Sequence, residues 1–265
     1  MSESQLLRNE REGVLEIVFN RPEKYNALTR VMYEGLDQAV RDLAARTDLR
    51  VLLIRANGKY FSSGVDLASL AVTELDGSTS RFRRHYNDSA YHWVFDAMEA
   101  VEKPIVIAHH APCLGGALEL SLSCDFRLAG RSARYGLPEM NIGMIPGSGG
   151  TSRLVRLVGT HWARWLIMAV EQVDAERALA MGLVHQVYAD EELERAAWEF
   201  CLKLAKQPPE TLAMAKLTIE LAKDLDRTQG RNVERLGNSA LYFGDERATT
   251  MAALLARMSG GKPKA

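Results

Sequence analysis

Residues 104–129 read PIVIAHHAPCLGGALELSLSCDFRLA, and the order of patterns within them decides the fold class. Residues 104–108 (PIVIA) form a short, continuous apolar run of the kind carried by a strand that is covered on both faces. The Gly-Gly pair at 115 and 116 turns the chain. Residues 115–124 then read as a helix, and residues 126–129 return to a short strand. Strand, turn, helix and strand in this order are the mark of a βαβ unit with a right-handed crossover, hence of a parallel sheet in an α/β fold.

The same alternation extends toward the N-terminus. Residues 51–54 (VLLI) form a second buried-type strand, closed by the turn signal Asn57-Gly58. Before it, Leu28, Val31, Met32, Leu36, Ala39, Val40 and Leu43 fall at helical spacing, with Thr29 placed as N-cap. Val14–Phe19 alternates apolar and polar residues as a half-buried strand does, and Asn20, Arg21 and Pro22 end it. No pattern holds from Ala68 to about Asp88, where Gly77 and a Ser/Thr cluster give way to RFRRHYND; a helix-like stretch then runs to Val101. Beyond the glycine-rich segment at 143–150, strand signals nearly stop, apart from residues 184–187. From Glu191 onward three amphipathic segments follow, with Pro208-Pro209 between the first two. The expected organisation is an α/β core domain over residues 1–195 and a helical packing or oligomerisation region over residues 196–265.

Composition narrows the function classes. The chain has 265 residues, 47% hydrophobic and 25% charged, with a formal net charge of −1, which matches a folded globular protein. Such a balance supplies no broad positive field for a nucleic acid or an anionic membrane, so an anionic ligand must be held locally. Cys113, Cys124 and Cys201 are an odd, widely spaced set without a CxxC pair, which fits neither a disulfide framework nor a thiolate metal site. The six histidines show no ligand spacing, so no metal is expected. The polar opening MSESQLLRNEREG lacks the apolar stretch of a signal peptide, and no apolar run approaches the ~20 residues that span a bilayer. A cytoplasmic protein that neither enters membranes nor binds nucleic acid is the expectation.

Three local patterns carry the chemistry. Residues 61–66 (FSSGVD) follow a strand and a turn. Residues 113–120 (CLGGALEL) join a strand to a helix through Gly115-Gly116. Residues 138–150 (PEMNIGMIPGSGG) set Glu139 twenty positions after Glu119. Glycines at strand-to-loop junctions let main-chain N–H groups approach a ligand. Two such loops on neighbouring strands could aim two donors at one developing oxyanion, aided by the positive end of the helix that Gly116 opens. Taken singly, each pattern has a plainer reading: Gly64 and Gly115-Gly116 as tight turns, Glu119 as a solvated helix face, Glu139 as a surface carboxylate. Taken together, a pair of carboxylates over one pocket is what general acid and base work on a water requires.

The three patterns in register, with Asn20-Arg21-Pro22 and Asn26-Ala27-Leu28 before them, resemble the crotonase, or enoyl-CoA hydratase/isomerase, superfamily over nearly the whole chain. In motif the chain is most similar to enoyl-CoA hydratases. The resemblance implies a ClpP/crotonase-like spiral of ββα units, and a C-terminal helical region that builds a homotrimer or a dimer of trimers. It implies that the N–H groups of Val65 and Gly116 form an oxyanion hole for an acyl-CoA thioester. Glu119 would accept a proton from water attacking C3, and Glu139 would supply one at C2. Substrate contacts would come from Arg21, Lys24, Ser63, Asp66, Gly115 and Asn141, with no cofactor beyond the coenzyme A that the substrate carries.

Departures from the family pattern also appear. Ala248-Thr249 and Ala253 stand where relatives commonly show an acidic-glycine pair and an aromatic residue. Asn141 is polar where many hydratases are aliphatic, and Ser63 stands where alanine is frequent. Tyr91, Trp93 and Phe95 read as an acyl-pocket wall or as core packing. A Δ3,Δ2-enoyl-CoA isomerase and an aromatic acyl-CoA lyase are the nearest alternatives. A thioester hydrolase would resemble Pro-Asp where this chain has Pro146-Gly147. The basic run Arg81-Phe82-Arg83-Arg84-His85 is too short for an RNA-binding relative, and Gly147-Ser148-Gly149-Gly150 breaks the GxGxxG order of a dinucleotide site.

Overall fold

Six strands make the main sheet of the computed structural model, which describes residues 4–70 and 91–260. In chain order they are β1 (Leu6–Arg11), β2 (Val14–Phe19), β3 (Val51–Ala56), β4 (Ile105–His109), β6 (Phe126–Gly130) and β9 (Gln186–Tyr188), and they lie side by side in that same sequence. All neighbours from β2 to β9 run parallel, and β1 alone is antiparallel. The apolar runs at 51–54 and 104–108 are interior strands, as the absence of polar alternation in them requires.

Two strands depart from the sequence expectation. Val14–Phe19, expected half-buried, is buried at every position, because it lies between β1 and β3. Its one charged residue, Glu16, is tolerated there because it accepts from Arg55 Nε at 2.6 Å and Asn9 Nδ2 at 2.8 Å. Strand β1, largely exposed and polar, gave no strand signal. It is fixed by backbone pairing through the Glu12-Gly13 turn, where both residues have positive φ, as a tight hairpin demands.

The helix Arg30–Ala45 connects β2 to β3. The Thr29 side chain caps it at Met32 N–H, and Met32, Tyr33, Leu36, Ala39, Val40 and Leu43 are buried in the core. Each of those large side chains contributes about 1.5–3 kcal/mol. The helix Gly116–Leu122 connects β4 to β6 and is buried along its whole length, Glu119 included. A second, smaller sheet pairs β5 (Cys113–Leu114), β7 (Arg134–Gly136) and β8 (Val173–Asp174). Single bridges from Ser62 to Cys113 and from Leu28 to Val65 bring the segment after β3 onto its edge.

The chain divides into two units between Leu204 and Ala205, at the C-terminal end of the helix Leu193–Ala205. The second unit holds the helices Pro209–Ala222, Arg227–Tyr242 and Asp245–Gly260. Four helices therefore follow Glu191 where three segments were expected. The missed break is written in a capping box at Asp226 and Gln229, which starts a new helix, and in Gly244 before the last one. Among the described residues no helix is long and apolar enough to cross a membrane. The basic run at 81–85 lies outside the described residues.

Candidate active site

Two loops leave the C-terminal ends of neighbouring parallel strands, residues 61–66 after β3 and residues 113–116 after β4. Phe61 anchors the first in the core: its ring packs at 5.5 Å from Phe19 and at 4.7 Å, edge-on, from His109. His109 contacts the Tyr135 hydroxyl at 3.2 Å. Burial pushes the His109 imidazole down to about 3, so this ring is a neutral packing element, outside the range of acid-base use near neutrality.

Ser62 braces the first loop. Its hydroxyl donates to Asn26 C=O at 2.7 Å and accepts from Gly64 N–H at 3.2 Å. Leu28 N–H donates to Gly64 C=O at 2.8 Å, and Asp66 N–H donates to Leu28 C=O at 2.9 Å. The N–H groups on either side of Val65 are thus engaged, and that of Val65 has no partner among the described residues. The second loop behaves alike. Leu114 N–H donates to Ser62 C=O, Gly115 N–H to Gly136 C=O, and Leu118 and Glu119 N–H to Gly115 C=O. Gly116 N–H is left without a partner among the described residues, as the first turn of a helix leaves its donors.

These two free donors sit beside each other. A Cβ on Gly64 would stand 3.3 Å from Gly116 N and 2.9 Å from Leu114 C=O. With φ at +96°, only glycine takes this position without strain. Both donors open on a cavity of about 790 Å³ whose lining includes Gly64, Val65, Gly115, Gly116, Glu119 and Glu139.

The glutamates occupy different surroundings. Glu119 is 5% exposed, so the solvated-face reading of it fails. Its Oε1 accepts from Ser148 N–H at 2.8 Å and Gly150 N–H at 3.1 Å. Burial raises its pKa, while those two donors and Arg153 oppose the rise. Glu139 sits in the short 3₁₀ turn Pro138–Ile142. Its Oε2 is buried without a hydrogen-bond partner among the described residues. Burial, with the nearby Glu119 adding to it, lifts its pKa to about 7. Two carboxyl groups set apart in this way can divide acid and base roles at one site.

Ser63 and Gly115 also line the cavity. Arg21 and Asp66 instead pair with each other at 2.6 Å, and Arg21 also donates to Ala27 C=O at 3.2 Å. They stitch the segment before the first helix to the first loop, outside the cavity lining. Lys24 is exposed on the short turn Pro22–Lys24, and Asn141 is exposed and absent from the lining. Of the aromatic trio, Phe95 is core and Trp93 is 41% exposed, and neither lines the cavity. Sequence reasoning missed Ser62, Asn26, His92 and Arg153. His92 lines the cavity, and Asn26 is fully buried. The Asn26 side chain accepts from Arg21 N–H and donates to Asn57 and Tyr60 carbonyls. Ser62, two residues before Gly64, and Asn26, in the Asn26-Ala27-Leu28 motif, were the available signal. Among the described residues no cluster of side chains suits a metal ion.

The family model described as enoyl-CoA hydratase/isomerase matches residues 9–252. The chain is 34% identical to a short-chain-enoyl-CoA hydratase of Clostridium acetobutylicum over 82% of both chains. It is 30% identical to the 2,3-dehydroadipyl-CoA hydratase of Escherichia coli, over 95% of this chain and 96% of that one. A crystal structure of an enoyl-CoA hydratase from Bacillus anthracis superposes with a TM-score of 0.88 at 28% identity, covering 96% of this chain and 97% of the other.

Proposed function

The chain belongs to the enoyl-CoA hydratase/isomerase family, and on that premise we propose that it adds water across the double bond of a 2-enoyl-CoA thioester. The observation that carries this reading is the adjacency of two main-chain donors, at Val65 and Gly116 and unpartnered among the described residues, to a cavity overlooked by two glutamates. Negative charge develops on the thioester oxygen when a nucleophile adds to C3, and donors already aimed at that oxygen need no reorganisation. One such donor is worth about 2.7–4 kcal/mol of barrier.

Glu119 is the base. Burial raises its pKa, but two N–H groups fix one of its oxygens and, with Arg153, oppose the rise, which leaves the other oxygen to receive a proton from the attacking water. Glu139 is the acid. Its raised pKa keeps a proton available near neutrality, and it delivers this proton to C2 as the enolate collapses. Neither step calls on a cofactor; coenzyme A enters as part of the substrate. The small-molecule relatives act on short and dicarboxylic acyl chains by name, and a preference within that range is part of the proposal. The apolar side chains exposed on the C-terminal helices, among them Leu236 at 73% and Phe243 at 85%, support assembly as a homotrimer or a dimer of trimers.

The test is a panel of 2-enoyl- and 3-enoyl-CoA thioesters followed by conjugated absorbance, with Glu119→Gln and Glu139→Gln beside the wild type. Hydration should fall about 10²- to 10⁴-fold in each variant. If the wild type hydrates no 2-enoyl thioester, and Glu119→Gln alone abolishes a 3-enoyl to 2-enoyl shift, an isomerase replaces the hydratase.

A further inference from the structure

Arg153 lies in the helix Gly150–Ile167, with a side chain only 9% exposed. One of its guanidinium nitrogens donates to Ser148 C=O at 3.0 Å. The other donates to Asp96 at 2.6 Å and Glu99 at 2.8 Å. Both carboxylates belong to the helix Tyr91–Ala100, which also carries His92. His92, Asp96 and Glu99 are spaced by four and three residues and so share one helix face, and His92 lines the cavity. Arg153 therefore ties a wall of the cavity to the loop whose Ser148 and Gly150 N–H groups hold Glu119.

At that loop the Thr151 hydroxyl donates to Pro146 C=O at 2.9 Å and the Ser152 hydroxyl to Gly149 C=O at 3.2 Å, while Arg153 is what joins it to the helix Tyr91–Ala100. The loop runs Pro146-Gly147-Ser148-Gly149-Gly150, three of its five residues being glycine. Gly150 must lack a side chain, since a Cβ there would stand 2.6 Å from both Cγ and Oε1 of Glu119. The two hydroxyl bonds close local turns, whereas Arg153 fixes Ser148 C=O against a separate helix. Stability alone is a poor reason for a guanidinium this deep, whose Nε has no hydrogen-bond partner among the described residues, because burying a charge offsets much of what its ion pairs return.

We propose that Arg153 is a positioning residue for the reaction: by clamping Ser148 to the helix Tyr91–Ala100, it holds the Ser148 and Gly150 donors on one oxygen of Glu119 and leaves the other facing substrate water. This rests on the hydratase reading for the identity of the step and on the hydrogen-bond chain alone for the clamp. The ionisable groups around Glu119 are Glu139 and His92 at the cavity and Arg153 behind the loop, with Asp96 and Glu99 facing Arg153.

Three variants test it: Arg153→Met, Arg153→Lys, and the double change Asp96→Asn with Glu99→Gln. Two readouts are taken on each. One is kcat and KM for the best 2-enoyl thioester. The other is the titration of Glu119 followed by ¹³C NMR of carboxyl-labelled glutamate, assigned with Glu119→Gln, which needs no turnover. Arg153→Met should lower kcat by about 100-fold, as misplacement of a reacting group by about 1 Å does, with KM little changed. Its Glu119 titration should move to higher pH, because a nearby positive charge is lost. Arg153→Lys should keep that titration near the wild-type midpoint and recover part of kcat, and the double change should lower kcat in the same direction. The clamp is overturned if Arg153→Met folds and leaves both kcat and the Glu119 midpoint unchanged, or if kcat falls with the midpoint unmoved and lysine restores nothing. If Arg153→Met does not fold, wild-type kcat and midpoint in the double change overturn it instead. A wild type that hydrates no thioester removes the hydratase reading, while the Glu119 midpoints still decide the clamp.

Discussion

At the scale of single residues, two glutamates in one cavity are made unequal by what surrounds them. Glu119 is gripped by two N–H groups, whereas Glu139 has a buried oxygen with no partner among the described residues and a pKa raised to about 7. An acid must hold its proton to donate it, so kcat/KM should decline as pH rises through about 7, by about tenfold per pH unit well above that point. The two carboxyls interact, and the profile reports the pair. The same shift has a consequence for stability. Glu139 binds its proton more tightly folded than at the ordinary value of 4.5, so its contribution is full below pH 4.5 and is lost as pH rises from there through about 7. Urea unfolding between pH 4 and 8 should show this slope in the wild type and a flatter one in Glu139→Gln; an equal slope in both would assign it to other groups.

At the scale of elements, the site is two loops joined by backbone bonds, Ser62 N–H to Pro112 C=O at 3.1 Å and Leu114 N–H to Ser62 C=O at 3.0 Å, with buried polar side chains bracing the first loop. Asn26 is fully buried and makes three hydrogen bonds that bind residue 21 to residues 57 and 60. Each such bond contributes about 1 kcal/mol, with a further cost for partners left unsatisfied. Asn26→Ala should therefore lower unfolding free energy by about 3 kcal/mol and reduce kcat as the first loop loosens, measured by denaturant titration and initial rates. A loss of activity with unchanged stability would place Asn26 elsewhere in the chemistry. The elements most legible in sequence were those whose pattern has a single physical cause. Continuous apolar runs at 51–54 and 104–108 pointed to strands covered on both faces, and Gly-Gly before an apolar helix marked the second loop. Elements made by pairing rather than by side-chain pattern were not legible. Strand β1 is polar and exposed, β5, β7 and β8 are two or three residues long, and β2 lost its alternation because Glu16 found Arg55. Glu119, Glu139, Val65 and Gly116 were named from the resemblance of the motifs, and all four line one cavity. Arg153 was not named, because an arginine on an amphipathic helix looks solvated until the helix Tyr91–Ala100 is placed beside it.

At the scale of the molecule, the parallel sheet sets the C-terminal ends of β3 and β4 side by side, so that two loops distant in sequence present adjacent donors. The C-terminal unit leaves Leu236, Phe243 and Met258 more than half exposed, and the proposed trimer or dimer of trimers would cover such side chains. Light scattering should give three or six chains per particle, and Leu236→Glu with Phe243→Glu should shift the mass downward; a wild-type monomer at micromolar concentration would refute the assembly. The central claim concerns one oxygen atom, that of the thioester carbonyl between Val65 N–H and Gly116 N–H. Isotope-edited infrared spectroscopy of a slowly reacting 2-enoyl-CoA, labelled with ¹³C at the thioester carbonyl and bound to Glu119→Gln, observes it directly. The expected result is a carbonyl stretch well below that of the same thioester in water, as two aligned donors polarise the bond. A stretch equal to or above the value in water would contradict the claim.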